Sequence, residues 1–295
     1  MDNIEPLFQA IKISKAYPGV QALDQVDFEL RAGEIHALVG VNGAGKSTLV
    51  KIMVGAEHAD SGAMMLRGRE LRLRSIHEAL EAGIAAVHQE RTLVPHLTVP
   101  ENIFLGDEPA KFGIIDDRSM RAKAEELIRR FGIDLPLTTE ALFLGVGECQ
   151  LVDILKALRG HPAVLLLDEP FSALDSLTKE HLQLEIMEVQ EFYKGSIILV
   201  THDLAEAYRL SSRLAVYEGG KILQCGPKEL IVSSPANWKV ARMMGMRNCL
   251  DGFVAEIGDS GVWVTIPGLD TRLRVATNNH KSLTANQPIA VGVYP

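Results

Sequence analysis

The stretch from Gly40 to Leu49, GVNGAGKSTL, fits G-x-x-x-x-G-K-[ST], with Gly40, Gly45, Lys46 and Ser47 in the defining places. Glycines at this spacing let backbone N–H groups turn inward around phosphate oxygens. A helix starting near Lys46 adds its positive end. Lys46 would then reach the outer phosphates. The Ser47 hydroxyl would complete a Mg²⁺ shell that otherwise keeps several waters. Asn42, Gly43, Ala44 and Thr48 supply the rest of the candidate cradle. A glycine-rich turn between any strand and helix also reads this way, but Lys-Ser-Thr at the helix start argues for phosphate. A second chemical element is AVLLLDEP at 163–170. Asp168, ending an apolar run, is placed to hold Mg²⁺, and Glu169 beside it is a candidate base for an attacking water.

The elements that must position these groups alternate in type. EIHALV precedes the phosphate loop as a strand, and STLVKIMVG follows at helical spacing. Residues 7–13 and 26–30 read as strands around a loop at 15–23. SGAMMLRGREL at 61–71 reads as a hairpin, 76–82 as a short helix and 83–89 as a buried strand. Residues 90–116, with Pro95, Pro100 and Pro109, have a mixed texture. Amphipathic helices are expected at 117–132 and 148–160, so roughly 90–160 reads as a mostly helical insert. A strand at 163–170, a helix at about 176–192, the strand SIILV and a helix from Asp203 follow. RLAVYEGGKILQCG reads as a hairpin on Gly219 and Gly220. This alternation implies a parallel sheet with its ligand site at the carboxyl ends of the strands. From about Asn248 short strands and turns suggest a small β module, which stops on a strand-like segment and is expected to be partial.

Composition narrows the partners. A chain of 295 residues suits one large domain and a small one. The net charge of -8 argues against nucleic acid. Cys149, Cys225 and Cys249 show no metal-ligand spacing, and their odd number argues against a disulfide framework, so a reducing cytoplasm is expected. The first residues lack the layout of a secretion signal. No apolar run approaches the ~20 residues of a membrane span. Any membrane role is therefore expected to come through a partner.

Taken in order, these residues resemble the ATP-hydrolysing subunit of an ABC transporter over residues 7–245. The resemblance implies an α/β fold of the P-loop NTPase type. That fold has a RecA-like parallel core, an antiparallel β subdomain and a helical insert, followed by a small OB-like all-β module similar to a TOBE domain. The expected division is 1–247 and 248–295. ATP and Mg²⁺ are the implied ligands. In family terms Tyr17 in AYPGV matches the aromatic that stacks on adenine. Gln89 matches the glutamine that senses Mg²⁺ and the attacking water. Asp175 in SALD matches the aspartate that communicates across a dimer, and His202 in LVTHD the histidine that contacts the γ-phosphate. Alone, each also fits a folding role: a loop aromatic, a strand-end cap, a helix N-cap and a strand-end histidine. Their order along the chain carries the functional reading.

The family's signature, LSGGQ, aligns with LGVGE at 144–148. Gly147 is kept, so the helix N-terminus can still aim N–H groups at a phosphate of the other subunit. Gly145 replaces the serine and Glu148 the glutamine. A nucleotide-gated structural subunit with weak hydrolysis is therefore the rival to an active ATPase. A soluble ABC-type ATPase of DNA repair or translation is disfavoured by the negative charge. The middle, VHQERTLVPHLTVPENIFLGDEP, is similar to ribose- and galactose-type importers. The end resembles sulfate-, molybdate- and polyamine-type importers, so the substrate stays open. Implied partners are transmembrane subunits at the cytoplasmic face of the membrane, a second ATPase subunit and a solute-binding protein.

Overall fold

The computed structural model describes residues 5–89, 92–246, 248–258, 261–269, 271–275 and 283–293. β1 (Phe8–Tyr17) and β2 (Val20–Leu30) form a hairpin that runs through the 15–23 stretch expected as a loop. Residues 16–21 are exposed and carry no apolar alternation that would betray a strand, but pairing of Tyr17 with Val20 leaves only Pro18 and Gly19 to turn. β3 (Ile35–Gly40) is buried at every position and delivers the loop that ends at α1 (Lys46–Met53). β4 (Ser61–Leu66) and β5 (Arg69–Leu71) form the expected hairpin. In α2 (Ile76–Ala82) the Ser75 hydroxyl accepts from the Glu78 N–H, and β6 (Ile84–Val87) follows.

The 90–116 stretch holds elements that its prolines concealed. In α3 (Val99–Phe104) Pro100 sits in the first turn, where the missing N–H has no helical partner to lose. Glu101 folds back to accept the Thr98 N–H at 2.7 Å. A small hairpin, β7 (Ala110–Lys111) and β8 (Ile114–Ile115), precedes α4 (Asp117–Arg130). α5 (Val146–Leu158) starts before the expected Glu148, which places Gly145 at the N-cap and Gly147 in the first turn. β9 (Val164–Asp168), α6 (Ser176–Phe192), β10 (Ser196–Thr201) and α7 (Leu204–Leu210) follow as the alternation predicts. β11 (Arg213–Glu218) and β12 (Lys221–Pro227) flank the Gly219-Gly220 turn.

Two sheets share one core. The antiparallel sheet has the order β2-β1-β4-β5, and the second sheet the order β12-β11-β3-β10-β9-β6. In the latter, β6, β9, β10, β3 and β11 pair in parallel. Phe8, Ile13, Leu23 and Leu30 of the first sheet pack in the same cluster as Leu38, Leu166, Ile198 and Val200 of the second, with Leu49 and Ile52 of α1. The carboxyl ends of β3, β6, β9 and β10 therefore present the phosphate loop, Gln89, Asp168-Glu169 and His202 along one edge.

Compactness divides the chain into Met1–Ile222 and Leu223–Pro295, earlier than the expected boundary at Arg247, a residue outside those described. The second unit contains two helices the sequence pattern did not suggest, α8 (Lys228–Ser233) and α9 (Trp238–Met243). Its antiparallel sheet, of order β15-β14-β13-β16, is built from β13 (Asn248–Gly258), β14 (Gly261–Thr265), β15 (Arg272–Val275) and β16 (Pro288–Val293). Val254, Val262, Val264, Ile266 and Val291 give that sheet its own small core. Among the described residues no helix is long and apolar enough to cross a membrane.

Candidate functional site

The phosphate loop is held from beneath by backbone. Gly45 has φ 107, and a Cβ there would collide with the Ala22 carbonyl oxygen, so glycine is required twice over. The Gly220 N–H donates to the Ala44 carbonyl at 3.0 Å, and the Asp24 N–H donates to the Gly220 carbonyl at 2.9 Å. The Gly219-Gly220 turn and the start of β2 thus fix the loop's height above the sheet. Neither had a signal in the sequence beyond a hairpin turn and a polar loop.

Lys46 is only 5% exposed, and its ammonium donates to the Gly40 carbonyl at 2.6 Å and the Val41 carbonyl at 3.2 Å. Burial pulls its pKa below the ordinary lysine value, against the opposing pull of the Glu169 and Asp168 carboxylates. Glu169 Oε1 lies 3.9 Å from the ammonium. Glu169 leaves β9 at φ 50, which a non-glycine residue adopts only at a cost of about 1–3 kcal/mol. That turn is pinned by its N–H donating to the Val200 carbonyl at 2.9 Å. Its other oxygen, Oε2, is 2.7 Å from Nδ1 of the exposed His202.

Asp168 is buried at the end of β9, and its Oδ1 has no hydrogen-bond partner among the described residues. Burial first, and then the neighbouring Glu169, push its pKa above the usual carboxylate value. A divalent cation would relieve both the unpaired oxygen and the repulsion. The oxygen-bearing residues that could hold such an ion are Asp168, Ser47 and Gln89. No group of three or more His, Cys, Asp or Glu that could form a metal cage occurs among the described residues.

One cavity of about 520 Å³ gathers Tyr17, the loop from Asn42 to Thr48, Gln89, Glu169 and His202. Val20, Gln21, Ala22, Gly219 and Gly220 also line it and were not anticipated. The Tyr17 ring is exposed at the end of β1, with Lys15 Nζ 5.6 Å from its centroid. Lys15 is itself anchored by Glu57 at 3.0 Å and Asp60 at 3.2 Å. Gly40 and Asp168 stand behind this lining rather than in it.

Gly145, Gly147 and Asp175 are not part of the cavity wall. Gly147 instead approaches Thr178, in the first turn of α6 that Asp175 caps, while Gly145 stands at the N-cap of α5. A Cβ on Gly147 would lie 2.9 Å from Thr178 Cγ2, so any larger residue requires the Thr178 side chain to shift. Asp175 caps α6, accepting from the Leu177 and Thr178 N–H groups at 3.1 Å each and from the Thr178 hydroxyl at 2.7 Å. These bonds, the hydroxyl's first, hold its pKa below the ordinary value. Glu148 does not point away from the helix end. Its Oε2 accepts the Gly145 N–H at 2.6 Å.

The phosphate loop and the acidic strand end both lie within a family match. The profile described as ABC transporter covers residues 23–172. The chain belongs to the ABC transporter family. A ribose import ATP-binding protein of Streptomyces avermitilis is 40% identical over 261 residues, spanning 88% of this chain and 49% of that protein. An arabinose import ATP-binding protein of Rhizobium meliloti is 38% identical over 242 residues, 80% of this chain and 47% of that one. The chain thus spans about half the length of these relatives. A nucleotide-free ATP-binding cassette from an ABC transporter superposes with a TM-score of 0.71 at 22% identity, over 81% of this chain and 98% of the other. A dimeric cassette in a post-hydrolysis state with ADP and Pi gives 0.63 at 24% identity, over 75% and 98%. The fold is that of the ABC ATPase cassettes.

Proposed function

We propose that this chain is the ATP-hydrolysing subunit of an importer for a small solute. The observation that carries the reading is the convergence of the phosphate loop, Gln89, Glu169 and His202 on one cavity, with the unpaired Asp168 oxygen behind it. Phosphoryl transfer to water requires positioning and charge stabilisation more than covalent chemistry. Tyr17 offers a face to adenine. The loop N–H groups and Lys46 neutralise the phosphates. Glu169 accepts a proton from, or orients, the attacking water, and His202 holds Glu169 and reaches the γ-phosphate. Ser47, Asp168 and Gln89 are the residues that would hold Mg²⁺, which supplies charge neutralisation between the outer phosphates.

A second copy or a related subunit completes the site across a dimer, in which Gly145, Gly147 and Asp175 act on the partner's nucleotide. Support comes from the exposed apolar side chains beside that helix end: Leu142, Phe143, Val146 and Leu177 are 57%, 73%, 39% and 78% exposed. Membrane subunits at the cytoplasmic face and a solute-binding protein are the further partners, with no role for nucleic acid. The ribose, arabinose and galactoside import relatives support a sugar as the solute class. The β module at 248–295 is assigned a regulatory OB-like role separate from nucleotide binding.

One observation favours a second reading, a nucleotide-gated subunit that hydrolyses poorly. Gly145 has no hydroxyl to offer, and the Glu148 carboxylate occupies the N–H that an incoming phosphate would use. Steady-state ATP hydrolysis by the purified chain, alone and with its membrane subunits, separates the readings. Turnover that depends on Glu169 supports the enzyme, and nucleotide-driven dimerisation without turnover supports the gate.

A further inference from the structure

Tyr217 stands in β11 opposite Gly40 in the parallel pairing of β11 with β3, and it is 0% exposed. Its hydroxyl comes up against the phosphate loop: a Cβ built on Gly45 would lie 3.3 Å from it. Among the described residues that hydroxyl has no hydrogen-bond partner. Burial raises the phenol's pKa, so the group stays neutral and keeps its proton to donate. A phenylalanine would fill the same space without leaving a polar atom unpaired. Packing alone therefore does not account for the oxygen.

The loop above it contains acceptors whose pairing must change. The carbonyls of Gly40 and Val41 are both taken by the Lys46 ammonium. On the reading of this loop as the nucleotide site, Lys46 turns toward the outer phosphates when ATP binds, and those carbonyls need another donor. We propose that Tyr217 is a positioning residue for the phosphate loop, its hydroxyl donating to a carbonyl of the 40–45 loop once the loop holds a triphosphate. The hydroxyl is then unpaired only while Lys46 is folded back, and its bond favours the loop conformation that binds nucleotide.

Tyr217→Phe tests this because it removes one atom and keeps the ring. Tyr193→Phe is the control, since the Tyr193 hydroxyl is also buried but donates to the Pro162 carbonyl at 2.9 Å. Both variants and the wild type are melted without nucleotide and titrated calorimetrically with Mg-ATP. Tyr217→Phe is expected to melt at or above the wild-type temperature without nucleotide, yet to bind ATP on the order of five- to tenfold more weakly. Tyr193→Phe is expected to show the reverse, a lower melting temperature and unchanged affinity. A Tyr217→Phe protein with wild-type affinity overturns the inference. So does one that melts lower without nucleotide, because its hydroxyl would then already be satisfied in the free protein. Wild-type protein that binds no ATP would instead remove the nucleotide reading itself.

Discussion

Restoring a hydroxyl at the signature by Gly145→Ser is expected to raise turnover, but only partly unless Glu148 is changed as well. The backbone permits the substitution: Gly145 has φ -65 and ψ 162, the ordinary extended geometry of an N-cap residue. The obstacle is the neighbour. A Cβ at this position would lie 3.3 Å from Glu148 Oε2, the oxygen that already accepts the Gly145 N–H. A serine hydroxyl placed there would donate to that carboxylate, since a charged acceptor outcompetes a neutral one. Removing one well-placed transition-state donor costs about 2.7–4 kcal/mol in a strong case. Here the first-turn N–H groups of α5 remain, so a freed hydroxyl should contribute roughly 1–2 kcal/mol, or around five- to thirtyfold in rate. With Glu148 in place most of that is diverted, leaving about two- to fivefold. The pair Gly145→Ser with Glu148→Gln should give the larger figure, because the amide keeps an acceptor for the Gly145 N–H without the charge. The assay is turnover at saturating Mg-ATP in a preparation whose dimerisation is checked by sizing. If the double variant in a confirmed homodimer turns over no faster than wild type, neither the missing hydroxyl nor the carboxylate limits this site.

Four further outcomes follow from the same geometry. Glu169→Gln should retain ATP binding and lose nearly all turnover, accumulating a nucleotide-bound dimer on sizing; unchanged turnover would remove Glu169 from the catalytic role. Lys46→Ala should weaken ATP binding by on the order of ten- to a hundredfold, from the ~1.5–3 kcal/mol of a charged hydrogen bond, and calorimetric titration at wild-type affinity would refute it. Gly45→Ala should abolish ATP binding while circular dichroism stays native, because its Cβ meets the Ala22 carbonyl in a fixed strand; measurable affinity near wild type would mean the loop adapts. A chain truncated after Arg247 should fold and bind ATP, since the cavity is lined by residues no later than Gly220, and an insoluble or non-binding product would show that the later residues support the first unit.

How much of this was readable beforehand depended on whether a residue's role is set by its own backbone or by its neighbour's side chain. The phosphate loop, the strand ending in Asp168-Glu169 and His202 were legible because each sits at a strand terminus. There a continuous apolar run stops and polar chemistry begins, a pattern that survives without knowing the packing. The parallel alternation followed from the same runs: β3, β9 and β10 are buried along their whole lengths. α3 was hidden because Pro100 reads as a breaker until Thr98 is identified as the cap, which moves the proline into the tolerated first turn. Only the turn-proximal ends of β1 and β2 were hidden, because they are exposed and lack the alternation that marks a half-buried strand. At the signature, LGVGE established that a hydroxyl was missing, but not that Glu148 turns back onto the Gly145 N–H; that contact depends on where α5 begins, and helix starts shift by a residue or two under small changes in capping. Tyr217 was the least legible. In the sequence it is one more apolar-strand aromatic in RLAVYEGG, and only the register of β11 against β3 brings its oxygen beneath Gly45. Residues that act on the nucleotide through the loop thus carry no motif of their own, and are found by asking which buried polar atom near a motif has no partner.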